Sequence, residues 1–322
     1  MDIVFDFQRA FDSLRLAKGV LVVAHRKPDG DALGAGSALL GFCDRLGVPA
    51  AGFCVDPVPQ QFRYLAGLER FTTDRTVFSD EAYDVIAVLD AGDLEYAGIN
   101  GLIVRRPAGT PRIVNIDHHK TNRLFGDVNV VDEHASSTSE LLYRFFDHFN
   151  LPVDREIATA LLTGILNDTG NFTNPATTRS SLEVASDLLR RGARSHLISR
   201  FLLRNKPVPA LRLWGDLLAR LKYDRELGVA STALFVDDLG GREVDEEYMG
   251  GFINFLNNFL DAKVVLLLKE VPGGRVKGSL RTAQEVDVSE IAAAIGGGGH
   301  RKAAGFTVTG RIVEGKDRWS VH

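Results

Sequence analysis

The residues best suited to chemistry gather in four places. The first is a loop reading Ala24-His25-Arg26-Lys27-Pro28-Asp29-Gly30-Asp31. Its imidazole and two carboxylates, His25, Asp29 and Asp31, can converge because Asp29 and Asp31 in extended backbone face one side. The others are Asp90, the triplet Asp117-His118-His119, and Asp168 in Asn167-Asp168-Thr169-Gly170. Groups of this kind beside buried segments are costly unless a cation or hydrogen bonds compensate them. Read singly, such an aspartate is a helix cap and the first loop a solvated turn. Four sites together point instead to a cation centre. An EF-hand is excluded, because Leu33 takes the third ligand position. Imidazoles and carboxylates without a thiolate disfavour structural zinc and favour manganese or magnesium, with imidazole tilting the choice to manganese. The ligands outnumber the needs of one ion, and two ions sharing a carboxylate sit about 3.5–4 Å apart, an arrangement used for in-line attack on phosphorus.

Short apolar runs must position these residues. Gly19–Ala24, Asp84–Leu89 and Arg112–Ile116 read as buried strands alternating with helical stretches such as Asp31–Leu46. That alternation predicts βαβ units and a parallel sheet, with ligand chemistry at the carboxyl ends of its strands. Ile157, Leu161, Leu162 and Ile165 recur at helical spacing over Arg155–Leu166, so Asn167 and Asp168 fall where that helix ends. From about Gly192 to Leu213 arginines, prolines and amphipathic turns suggest a helical linker. Beyond it, Val229–Val236, Ala262–Val271 and Arg275–Thr282 read as strands, the last two a hairpin through Pro272-Gly273-Gly274. A short helix over Val288–Ile295, four glycines and a final strand near Ala304–Thr309 complete the pattern. The prediction is an α/β chain with a parallel-sheet domain over 1–191, a linker over 192–213, and a smaller α/β domain with a mixed sheet over 214–322.

Composition limits the partners. Of 322 residues, 45% are hydrophobic and 25% charged, which excludes a disordered or collagen-like chain. Lysine plus arginine at 38 against aspartate plus glutamate at 42 gives a net charge of −4. No positive field exists to hold long double-stranded nucleic acid by counterion release, so a nucleic-acid partner has to be short or gripped locally. Cys43 and Cys54 form no C-x-x-C pair and fit a reducing cytoplasm. No apolar run reaches the roughly 18 residues of a membrane span and Met1–Ala10 is no signal peptide, so a cytoplasmic protein without a membrane partner is expected.

Other features read as structure. Ser137 and Glu140 are spaced as a capping box, and Phe252, Phe255 and Phe259 recur at helical spacing as core. The glycine run is different, because Gly297, Gly298 and Gly299 can turn backbone N–H groups toward an anion, with charge added by His300, Arg301 or Lys302. It is no P-loop, since no Gly-Lys-Ser/Thr follows. Arg281 is a candidate bidentate phosphate ligand.

Taken in order, His25-x-x-x-Asp29-x-Asp31, Asp90, Asp117-His118-His119 and Asp168 resemble the four motifs of the DHH phosphoesterases. Gly296-Gly297-Gly298-Gly299-His300-Arg301-Lys302-Ala303-Ala304-Gly305 resembles the signature of the DHH-associated domain that accompanies them. Within the family, the compact length is most similar to the bacterial nanoRNase/pAp phosphatases and stand-alone cyclic dinucleotide phosphodiesterases. The resemblance implies one divalent ion held by His25, Asp29 and Asp90, and a second by Asp31, Asp90, His118 and Asp168, Asp90 being shared. It implies that His119 contacts the scissile phosphate and helps to protonate the leaving oxygen, and that Asp117 orients a histidine. A cleft between the two domains would take the substrate.

The implied activity is hydrolysis of very short RNA to 5′-mononucleotides, and of 3′-phosphoadenosine 5′-phosphate (pAp) to AMP. The nearest rival is a cyclic dinucleotide phosphodiesterase or pApA hydrolase of the same family. A pyrophosphatase relative is disfavoured, since its clamp is built of lysine and arginine where this chain has the glycine-histidine signature. A non-catalytic nucleotide sensor would lack one or more ligands, and none is missing here. A homodimer is left open.

Overall fold

The apolar runs of the N-terminal half become strands β1 (Val20–Val23), β2 (Ala50–Phe53), β3 (Phe71–Thr72), β4 (Val85–Leu89), β5 (Arg112–Asp117) and β6 (Val128–Val131). In the computed structural model, which describes residues 3–103, 111–202, 206–239, 251–316 and 318–322, they form one sheet in the order β3-β2-β1-β4-β5-β6. Every pairing is parallel. The strand order reverses between β1 and β4, and at such a switch point the loops leaving the carboxyl ends part and open a crevice for a ligand.

Strand β1 is wholly buried and alternates, Val20 and Val22 entering one core and Leu21 and Val23 the other. Helices α1 (Ile3–Arg15), α2 (Gly30–Leu46), α3 (Thr138–His148), α4 (Arg155–Asp168), α5 (Arg179–Arg190) and α6 (Ser195–Leu202) all feed the first core. The second core is closed by side chains from short turns, among them Phe78, Ala97 and Ile99. These elements belong to a unit running Met1–Asn205.

The second unit runs Lys206–His322. It holds α7 (Val208–Ala219), β7 (Lys222–Asp224), β8 (Val229–Leu234), α8 (Phe252–Phe259), β9 (Val264–Val271), β10 (Arg275–Arg281), α9 (Val288–Ala293), β11 (Gly298–His300), β12 (Ala303–Thr309), β13 (Ile312–Glu314) and β14 (Trp319–Val321). Its six-stranded sheet, ordered β11-β12-β10-β9-β8-β7, is mixed: β8 and β9 are parallel and the other pairs antiparallel. The expected hairpin turns on Gly273 and Gly274, both left-handed at φ 87° and 65°. Segment 192–213 contributes α6 to the first unit and the start of α7 to the second.

Two expectations for this unit change. The strand expected to be last is followed by the β13–β14 pair, whose three-residue strands are too short to show a period. Of the three phenylalanines expected in the core, Phe252 is fully buried but Phe259 is 74% exposed. Among the described residues, no helix is long and apolar enough to cross a membrane.

Candidate metal centre

The candidate ligands leave the carboxyl ends of neighbouring strands. His25 lies two residues beyond β1, Asp90 directly follows β4, and Asp117 ends β5. Asp90 adopts the left-handed region at φ 57°, where a short polar side chain is tolerated at some cost, and its N–H donates to Ile116 O at 3.0 Å. Chain direction thus turns abruptly at the switch point, and the carboxylate stays buried at 2% exposure.

Asp90 stands between two groups of ligand atoms. Its Oδ2 lies 3.4 Å from His25 Nε2, which is in turn 3.7 Å from Asp29 Oδ1. Its Oδ1 lies 3.6 Å from His118 Nε2, which is 3.1 Å from Asp168 Oδ2. Ligand atoms of Asp31, His118 and Asp168 fall within 4.8 Å of one another, as do those of His25, Asp29 and Asp90. Both inward histidines are tethered through the other ring nitrogen: His25 Nδ1 sits 2.7 Å from Arg26 O and His118 Nδ1 3.2 Å from Ala135 O. Donation to those carbonyls aims each Nε2 at the carboxylates, where its lone pair would serve a cation once the ring gives up its second proton. His118 Nε2 is buried and makes no hydrogen bond. An orphaned imidazole nitrogen among oxygen ligands, with no cysteine in the ligand groups found among the described residues, fits a divalent cation.

Asp29 and Asp31 do not converge as expected. Asp29 is the extended N-cap of α2, and its Oδ1 accepts from Asp31 N at 2.9 Å and Ala32 N at 3.1 Å. Asp31 already lies in the helix, so the two carboxylates part, Asp29 toward His25 and Asp31 toward His118 and Asp168. Helix initiation at Gly30 abolishes the two-residue alternation on which convergence depended.

Sequence reasoning missed what holds Asp31. The carboxylate accepts from Thr138 N at 2.6 Å and Ser139 N at 2.9 Å, the free N–H groups at the start of α3. Thr138 Oγ1 also donates to Asp90 Oδ1 at 3.1 Å. Ser137 caps α3 through Glu140 N at 3.0 Å, but the Glu140 carboxylate accepts from Ser136 N and Ser180 Oγ instead of completing the capping box. Gly164 was missed as well: a Cβ there would overlap Ser139 Oγ and Asp31 Oδ1. The available signals were the serine-threonine run and a glycine inside a helical pattern.

Asp117 serves the third histidine. Its Oδ1 lies 2.7 Å from His119 Nδ1 and accepts from His118 N at 2.8 Å, while Oδ2 accepts from Asn122 Nδ2 at 2.6 Å. With Nδ1 engaged, His119 Nε2 is the free ring nitrogen, on a side chain 43% exposed beside the buried ligands.

The carboxylate cluster sets the titration of the site. Burial alone would lower His25, but Asp29 and Asp90 override it and hold the imidazole up to about 12. Burial likewise opposes His118, which Asp168, Asp31 and Asp90 raise to about 10. Burial, followed by repulsion from Asp168 and Asp90, pushes Asp31 well above the usual carboxylate range. Asp168 rises to about 6, chiefly through burial. His119 is raised by its hydrogen bond to Asp117. Protons occupy places a divalent cation would otherwise fill.

The second unit carries the remaining candidates. Arg281 is half-buried at the end of β10; its Nε donates to Asn254 Oδ1 at 3.1 Å, and among the described residues it pairs with no carboxylate. Registers set Arg281, Ala303 and His300 in one row across β10, β12 and β11; the His300 side chain lies outside what the structure describes. Of the glycines, Gly297 and Gly299 have structural roles, whereas a Cβ at Gly298 would meet nothing within 4 Å. Gly297 N donates to Ala292 O at 2.8 Å, closing α9, so this N–H does not face an anion as expected. A Cβ at Gly297 would strike Gly305 O, and Gly299 holds φ 147° against β12.

Comparison with known proteins agrees with this arrangement. Residues 19–165 match the DHH family, N-terminal domain, and residues 229–318 match the DHHA1 domain. The chain is 32% identical over 302 residues to the bifunctional oligoribonuclease and PAP phosphatase NrnA of Thermus thermophilus, covering 92% of this chain and 86% of that protein. It is 29% identical over 203 residues to the cyclic-di-AMP phosphodiesterase PdeA of Listeria monocytogenes, covering 58% of this chain and 28% of that protein. An exopolyphosphatase-related protein from Bacteroides fragilis shares the fold at a TM-score of 0.86 and 26% identity, over 96% of this chain and 92% of the other. Motifs, fold and relatives converge, and the chain belongs to the DHH family of metal-dependent phosphoesterases, with a DHHA1 domain in its second unit.

Proposed function

We infer that this hydrolase degrades very short RNA to 5′-mononucleotides and converts pAp to AMP, with two divalent cations, manganese in preference to magnesium. The observation that carries this reading is the position of Asp90, which presents Oδ2 to His25 at 3.4 Å and Oδ1 to His118 at 3.6 Å. One carboxylate spanning two ligand groups suits a paired-cation site. His25, Asp29 and Asp90 would hold one ion; Asp31, Asp90, His118 and Asp168 would hold the other. When bound, the ions supply Lewis-acid charge at phosphorus and ease deprotonation of the attacking water.

The chain's own residues do the rest. Asp31, clamped by two N–H groups of α3, keeps its ligand oxygens aimed. Asp117 holds His119 through Nδ1 and favours its protonated form, whose Nε2–H supplies the proton that the departing alkoxide needs. Arg281, without a carboxylate partner among the described residues, is available to a substrate phosphate in the second unit. A chain at −4 offers no field for long nucleic acid, which supports a preference for short substrates. Buried, free Cys43 and Cys54 suit a cytoplasmic setting.

The deciding experiment is a time course with manganese on pAp, pApA, a pentanucleotide RNA, a long RNA and cyclic di-AMP, read as kcat/KM. Preference for pentanucleotide and pAp is the expected result. Preference for cyclic di-AMP would move the chain to the specificity of its Listeria relative, and no turnover on any substrate would leave a nucleotide sensor.

A further inference from the structure

The turn after Asp90 contains an aromatic residue that the ligand set does not use. Tyr96 stacks on His25, with ring centroids 5.0 Å apart and planes at 30°. Its backbone is held at both ends: N donates to Asp93 Oδ1 at 2.7 Å, and O accepts from Arg26 N, in the His25 loop, at 3.3 Å. The neighbouring Gly98, at φ 76°, is packed so closely on Val55 and Arg26 that no Cβ fits, which fixes the turn further. A tyrosine held this firmly has little conformational freedom left to lose on binding.

Nevertheless the residue is 47% exposed, and among the described residues its hydroxyl meets no hydrogen-bond partner. A core tyrosine would be buried, and a buried hydroxyl would be paired. Here one ring face is used against a candidate ligand and the polar end is left open. His25, on which it stacks, is flanked by the carboxylates of Asp29 and Asp90, which repel an anionic substrate. A neutral O–H donor at this edge binds a phosphoryl oxygen without adding a charge that would compete with the cations for the carboxylates.

We propose that Tyr96 is a substrate-contacting residue: its ring is fixed against His25, and its hydroxyl donates to a non-bridging oxygen of the phosphate under attack. This rests on the phosphoesterase reading above and adds to it the residue that seats the phosphate beside the His25, Asp29 and Asp90 group. The ring and the hydroxyl have separable tasks, so two substitutions separate them. Tyr96→Phe keeps the stack and removes the donor, whereas Tyr96→Leu removes both.

Three readouts are taken on the full chain: calorimetric affinity for manganese, affinity of the manganese-loaded protein for inorganic phosphate, and kcat and KM on pAp. Tyr96→Phe should bind manganese as the wild type does while losing about 10- to 100-fold in kcat/KM and about 10-fold or more in phosphate affinity, the worth of a hydrogen bond to a charged acceptor. Tyr96→Leu should also bind manganese several-fold more weakly, because His25 loses its packed face. Wild-type phosphate affinity in Tyr96→Phe overturns the proposal. So does a loss of manganese affinity in Tyr96→Phe as large as its loss of phosphate affinity, which would make the hydroxyl a support for the ligands. Phosphate binding is read without turnover, so a wild type inactive on every substrate counts against the phosphoesterase reading and leaves this test standing.

Discussion

The carboxylate of Asp31 accepts a hydrogen bond from the backbone N–H of Thr138 at 2.6 Å. Ser139 N completes the clamp at 2.9 Å, so a candidate metal ligand also terminates α3. This predicts that Asp31→Asn breaks the clamp and the ligand group together. An amide cannot accept from both N–H groups through two oxygens, and one unpaired N–H costs about 1–3 kcal/mol. Relief of repulsion with Asp90 and Asp168 offsets part of that cost in metal-free protein. Saturating manganese should therefore raise the wild-type Tm by several degrees and that of Asp31→Asn by clearly less, since only the His25, Asp29 and Asp90 group remains complete, as read by scanning calorimetry. An equal rise in both proteins would remove Asp31 from the ligand set.

Cation binding should release protons. His25, held at about 12, and His118, held at about 10, are charged at neutral pH without a cation, whereas a ligand imidazole must be neutral. Both values lie above the ordinary imidazole range, so the stability these histidines lend to metal-free protein is full below about pH 6.5, declines progressively above it, and is gone once pH has risen through about 10 for His118 and about 12 for His25. Manganese affinity should accordingly climb from pH 6 to 8, by about tenfold per unit for each proton displaced. Titration calorimetry in two buffers of different ionisation enthalpy counts those protons. A pH-independent affinity would contradict the assignment of both histidines.

Gly164 lies inside α4, where glycine normally weakens a helix by about 1 kcal/mol relative to alanine. Gly164→Ala should nonetheless destabilise, because the new Cβ collides with Ser139 Oγ and Asp31 Oδ1. Overpacking of this kind costs about 1–3 kcal/mol, and displacement of Asp31 should weaken manganese binding in parallel. Urea unfolding and manganese titration of the same preparation test both effects; a stabilised variant would show that α3 and α4 yield easily.

Asp117 touches His119 and not the inward-facing imidazoles. Asp117→Asn should therefore leave manganese affinity near wild type and lower kcat by about 10²–10⁴, the range of a proton-transfer contribution. The loss should track with that of His119→Ala, and the double variant should lose little more, since the two residues act as a unit. Additive losses would separate their roles.

How much of this was legible follows from the range of the interactions. The strands over 20–23, 85–89 and 112–117 announced themselves as β-branched apolar runs, and the residue types after them pointed to a cation site before any geometry was known. Alternation of strand and helix likewise determined the fold class, because burial of a periodic apolar face is a local property. Strand order was not local: only the reversal between β1 and β4 makes His25 and Asp90 neighbours, 65 positions apart in the chain. The parting of Asp29 from Asp31 depended on where α2 begins. The clamp on Asp31 joins residues 107 positions apart, and the need for glycine at 164 exists only because Asp31 and Ser139 arrive beside it. The sequence by itself therefore determined which chemical groups this protein owns and the class of fold that carries them. Tertiary structure alone decided which groups meet, because pairing free energies between distant residues depend on packing that no local pattern encodes.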